Sequence, residues 1–97
     1  MKMDKVYQLL IQGRVQRVWF RGWAVRTAQQ IGEISGFVKN LENGDVELLI
    51  KGNPESLQRM INACYVGPAL ARVDNIVLKD MSESLEYDEI EDIFTRK

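Results

Sequence analysis

The chain has 97 residues, of which 45% are hydrophobic and 28% charged, and its net charge is −1. That is the make-up of one globular domain over residues 1–97 rather than a disordered tail, and the near-neutral balance gives no electrostatic reason to expect nucleic acid or an anionic membrane as a partner. Cys64 is the sole cysteine, so no internal disulfide forms, which points to a reducing, cytoplasmic setting. Histidine is absent, which removes histidine triads, phosphohistidine chemistry and most zinc sites. The apolar run Val6–Ile11 is far shorter than the roughly 20 residues of a membrane span. With Asp4 directly before it, the run also lacks the pattern of a secretory leader.

Lys5–Gln12 reads as a first strand, rich in β-branched and aromatic residues and closed by Gly13. Gly13–Phe20 reads as a loop with two arginines. From there Phe20, Ala24, Ala28 and Ile31 recur at helical spacing, and Gly32 suits the C-cap. Ser35–Leu41 is a second strand. Glu42-Asn43-Gly44-Asp45 carries the Asn-Gly pair that favours a hairpin, and Val46–Lys51 is the antiparallel return. Asn53 caps a second helix with Pro54 at its first position, Glu55 in its first turn, and Leu57, Met60, Ile61 and Cys64 as its apolar face. Gly67-Pro68 ends that helix, Ala71–Lys79 is a fourth strand, Met81–Asp88 a loop, and a short last strand falls within Glu89–Thr95. The order β-α-β-β-α-β plus one edge strand predicts an α+β, ferredoxin-like split βαβ sandwich: an antiparallel sheet with two helices on one face.

A glycine-led loop between a strand and a helix brings backbone N–H groups and a helix N-terminus together, which is favourable geometry for an anion. Arg21, in the first turn, would add a planar fork of donors suited to phosphate. The helix dipole disfavours a cation there, so an anionic ligand would account for it; a solvated helix-start arginine is the plain alternative. Asn40, near a strand end, has its own plain reading as a residue that caps a turn. On the residues alone both pairs of readings stand.

Gly13-Arg14-Val15-Gln16-Arg17-Val18-Trp19-Phe20-Arg21 resembles the acylphosphatase signature G-x-V-Q-G-V-x-F-R, and Gly36-Phe37-Val38-Lys39-Asn40 the second signature of that family, G-aromatic-V-x-N. Asn43-Gly44-Asp45-Val46-Glu47, the helix residues Ala28, Ile31 and Gly32, and Gly67-Pro68 with Ala71-Arg72-Val73 extend the resemblance over nearly the whole chain, most weakly after Lys79. The resemblance implies a hydrolase that splits the carboxyl–phosphate anhydride of small acyl phosphates, releases inorganic phosphate, and works as a monomer without cofactor or metal. Backbone amides of Arg14, Val15, Gln16, Arg17, Val18, Trp19 and Phe20 and the guanidinium of Arg21 would bind the phosphoryl oxygens. Asn40 would orient the attacking water, and the substrate's own phosphate would take its proton.

Two positions depart from the family pattern. Arg17 stands where the family has its second loop glycine, and a non-glycine residue at positive φ costs about 1–2 kcal/mol. The stretch from Arg21 to Asn40 is one residue longer, most simply through Glu33 in the helix-to-strand turn. Arg17 keeps open an acylphosphatase-like binding or regulatory domain with weak catalysis, while Gly36-Phe37-Val38 bears a fainter likeness to an RNA-recognition motif whose basic, doubly aromatic context is missing. Trp19 and Trp23 read as core or rim packing, Cys64 as a buried hydrophobe, and Glu83, Glu86, Asp88, Glu89, Glu91 and Asp92 as solvated surface.

Overall fold

The computed structural model describes residues 4–83 and 93–97. Its elements are β1 (Lys5–Arg14), α1 (Phe20–Ile31), β2 (Ser35–Asn40), β3 (Val46–Gly52), α2 (Pro54–Val66), β4 (Arg72–Asp80) and β5 (Phe94–Arg96). The strands form one sheet in the order β4-β1-β3-β2-β5. Strand periodicity turns Tyr7, Leu9 and Ile11 of β1, Val46, Leu48 and Ile50 of β3, and Val38 of β2 toward one face. There they meet Phe20, Ala24 and Ala28 of α1 and Leu57, Met60, Ile61 and Cys64 of α2, so both helices cover the same side. α1 lies over β2 and β5, and α2 over β3 and β4. This is the ferredoxin-like split βαβ sandwich expected from the order of elements.

The sheet is mixed rather than antiparallel throughout. β1, β2, β3 and β4 pair antiparallel, but β5 pairs parallel with β2, Gly36 opposite Phe94 and Val38 opposite Arg96. The reason is directional. β4 starts at the loop end of the sheet, Arg72 opposite Arg14, and leaves at the other end. A strand that begins at that far end and adds to the β2 edge runs alongside β2. The last strand also lies later than expected, at Phe94–Arg96; Glu89–Asp92 fall outside the described residues. So does most of the expected loop Met81–Asp88, of which only Met81–Glu83 is described, and with it the acidic run beyond Glu83.

Local chemistry accounts for the other boundaries. The Asn53 side chain accepts from the Ser56 N–H at 2.9 Å, closing the N-terminus of α2 ahead of Pro54. The hairpin is closed by Asn43, whose Oδ1 accepts from the Asp45 N–H at 3.0 Å, and by the Leu41 N–H donating to Asp45 at 2.9 Å. Glu33, the additional residue, sits at φ 59 and accepts from the Asn53 side-chain amide at 3.1 Å, so the longer turn is tied to the start of α2.

β1 extends past the expected Gln12 to Arg14, through a register shift against β4 between Gln12 and Gly13. Gly13 holds φ 130 at that bulge, and a Cβ there would overlap the Arg72 carbonyl oxygen. Gly13→Ala should therefore lower stability by at least about 1–2 kcal/mol through backbone strain, before displacement of β4 is counted. Urea unfolding of the two proteins measures it, and a loss under about 0.5 kcal/mol, the range of an unconstrained surface change, would mean that the bulge relaxes freely.

Cys64 is fully buried, and burial pushes its thiol from 9.0 up to about 12. A raised folded pKa stabilises the fold in full below the unfolded value and loses that stabilisation as pH rises toward the folded value. Native protein should resist alkylation by iodoacetamide at pH 8 and react only on unfolding. Its stability should also decline above about pH 9, more steeply than that of Cys64→Ala, in pH-dependent denaturation.

Candidate active site

Because β1 and β2 each run antiparallel to β3, they point the same way, and β5 follows β2. The C-terminal ends of all three therefore lie at one edge of the sheet. The loop from β1 to α1 crosses that edge. Residues 36, 38 and 40 share one face of β2, the face that carries α1, so Asn40 ends its strand facing the helix start. Phe94 and Arg96 share a face of β5 in the same way.

These ends enclose a recess of about 110 Å3 lined by Val15, Arg17, Trp19, Phe20, Arg21, Gly22, Asn40 and Arg96. Three guanidinium-bearing side chains and one amide line it, and no carboxylate does. Arg21 Nη1 donates to the main-chain oxygen of Lys97 at 3.0 Å, which ties the helix start to the residue after β5. The Asn40 amide has no hydrogen-bond partner among the described residues, and the hairpin is closed by Asn43 instead. The turn-capping reading of Asn40 thus falls.

Among the described residues, the backbone N–H groups from Val15 to Phe20 donate to no protein acceptor. The loop is held from outside: Gln16 Nε2 donates to the carbonyl oxygens of Leu41 and Asp45, at 2.8 and 2.9 Å. This side-chain role was not legible in the sequence, where Gln16 counted only as a backbone donor. Val15 and Phe20 are buried and anchor the loop ends in the core. Arg14, Arg17 and Trp19 are exposed, and Val18 is half-buried.

Arg17 stands at φ 63, the conformation expected of the glycine it replaces, and Trp19, the N-cap of α1, at φ 66. Trp19 lies at the rim, 53% exposed, with the Arg26 guanidinium 5.2 Å from its ring centroid. It fits there because residue 22 is glycine: a Cβ at Gly22 would overlap the indole nitrogen. Trp23 packs edge-on against Phe20 with ring centroids 5.1 Å apart. Sequence reasoning missed Arg96, which lies in the weakly patterned end of the chain; only a two-residue alternation with Phe94, once that strand is known, signals it.

Fold and recess define a ferredoxin-like α+β protein with an arginine-lined pocket at its parallel strand ends. The family pattern for Acylphosphatase matches residues 7–92. An acylphosphatase of Methylococcus capsulatus is 40% identical over 87 residues, which is 90% of this chain and 92% of that one. The crystal structure of acylphosphatase from Bacillus subtilis superposes with a TM-score of 0.85 at 32% identity, covering 98% of this chain and 99% of that one. An acylphosphatase from Coxiella burnetii superposes with a TM-score of 0.82 at 28% identity, covering 97% of this chain and 93% of that one. The chain belongs to the acylphosphatase family of hydrolases.

The positive φ at Arg17 has a measurable consequence. Arg17→Gly removes about 1–2 kcal/mol of backbone strain and gives back about 0.4–1 kcal/mol through the freer unfolded chain. A net gain of several tenths of a kcal/mol to about 1 kcal/mol is expected in urea unfolding. A clear loss would show that the Arg17 side chain stabilises the empty loop.

Proposed function

We propose that this protein hydrolyses acyl phosphates to a carboxylate and inorganic phosphate, as a single-domain cytoplasmic monomer. The observation that carries the proposal is the charge of the recess: Arg17, Arg21 and Arg96 line it beside Asn40, with no carboxylate among the lining residues. A phosphoryl dianion is the small ligand that such a lining and the N–H groups of the loop would hold. Arg21 binds two phosphoryl oxygens through its planar fork, and the loop amides bind the remainder.

Asn40 orients a water molecule in line with the bond to be broken. The water oxygen attacks phosphorus, the bond from phosphorus to the acyl oxygen breaks, and its electron pair leaves on the carboxylate. The water's proton passes to a phosphoryl oxygen. A carboxylate is a good leaving group, so no strong general acid is needed, and a chain without histidine can run the reaction on positioning and charge. Among the described residues no group of acidic, cysteine or histidine side chains is arranged to hold a metal.

Phosphate release from benzoyl phosphate should therefore persist in EDTA. Arg21→Gln should weaken binding of inorganic phosphate, whereas Asn40→Ala should keep phosphate affinity and lower kcat by at least about 100-fold. Calorimetric titration with phosphate beside steady-state kinetics separates the two roles. Equal loss of phosphate affinity in both variants would remove this division of labour. A folded parent protein without hydrolysis would leave the weakly catalytic binding domain as the better reading.

A further inference from the structure

Beside the phosphate recess lies a second, wider one of about 320 Å3, lined by Arg14, Gln16, Arg17, Val18 and Leu70. Arg17 is the wall common to the two. The second recess is large enough for a small organic group, where the first holds little more than a phosphate. Leu70, 76% exposed, and half-buried Val18 supply apolar surface. Both donors of the Gln16 amide are already taken by Leu41 and Asp45, so the donors on offer are the guanidinium groups of Arg14 and Arg17. Neither has a carboxylate within ion-pair distance among the described residues. Asp74, on the strand that pairs with this end of β1, is bound to Arg72 at 3.1 Å.

We infer that this second recess is the acyl-group subsite, and that Arg14 and Arg17 make it selective for acyl phosphates whose acyl group carries a second anionic group, such as a carboxylate. The inference rests on the acyl phosphate reading above. In such a substrate a single bridging oxygen joins phosphorus to the acyl carbon. An acyl group that leaves the phosphate recess along the shared Arg17 wall enters the second recess, where Val18 and Leu70 contact its carbons and the arginines its distal charge. The non-glycine residue at φ 63 is thereby accounted for: the backbone strain places a cation between the two recesses.

The test compares benzoyl phosphate with 4-carboxybenzoyl phosphate, whose carboxylate cannot reach its own acyl carbon. Exposed ion pairs are worth roughly twofold to fivefold each, so the parent should prefer the carboxylated substrate by on the order of tenfold in kcat/KM. That preference should shrink as salt is raised from 20 mM to 0.5 M. In Arg14→Gln, Arg17→Gln and the double variant the ratio of the two kcat/KM values should fall stepwise toward one; taking a ratio cancels any change common to both substrates. A parent ratio at or below one overturns the inference, as does a ratio independent of salt or unchanged in a folded double variant. If the double variant does not fold, the salt dependence of the parent ratio decides. Hydrolysis of both substrates at equal rates refutes the subsite alone, whereas hydrolysis of neither refutes the acyl phosphate reading and the subsite with it.

Discussion

The Gln16 side chain joins the two halves of the site. Its amide spends both donors on the carbonyls of Leu41 and Asp45, one on each side of the hairpin that follows Asn40. The loop could otherwise shift as a unit, since its N–H groups from Val15 to Phe20 have no protein acceptor among the described residues to hold them. Two hydrogen bonds at 2.8 and 2.9 Å set the distance between the loop and the residue proposed to hold water, and phosphoryl transfer depends on such positioning more than on covalent chemistry.

Strain at this edge of the molecule is concentrated rather than spread. Arg17 and Trp19, two residues apart, both occupy the left-handed region. Each costs about 1–2 kcal/mol, a sizeable part of the marginal stability of a small domain. The conformation persists because what flanks it is overdetermined. Val15 and Phe20 are buried at the loop ends, Trp19 rests on Gly22, and Gln16 bonds the middle. Glu33, the third such residue, lies away from the recess, and its side-chain bond to Asn53 is a local compensation for a longer turn.

Most of the fold was legible because its signals are local. The Asn-Gly hairpin, the Asn53-Pro54 helix start and the apolar stripe of Leu57, Met60, Ile61 and Cys64 are each written within a few residues, and each stands where it was expected. What escaped is non-local. The parallel pairing of β5 follows from where β4 ends, not from any feature of Phe94–Arg96. Arg96 reaches the recess only because that strand joins β2, and the Gln16 bonds span 25 and 29 residues. Arg21 and Asn40 could be picked out as candidates, but their alternative readings were local as well. The turn-capping alternative for Asn40 fell only when its amide was seen to have no partner among the described residues while Asn43 closes the hairpin.

The recess is thus assembled from the beginning, middle and end of the chain: Val15 to Gly22, Asn40 and Arg96. Its charge balance depends on that assembly. Three arginines around a small volume repel one another, and a cation at the start of α1 also opposes the helix dipole. The main-chain oxygen of Lys97, at 3.0 Å from Arg21, partly offsets this by giving one guanidinium donor an acceptor. The bond orients the arginine from outside the lining of the recess. The short strand Phe94–Arg96, which carries both Arg96 and this acceptor to the β2 edge, is therefore as much a part of the site as the loop that faces it.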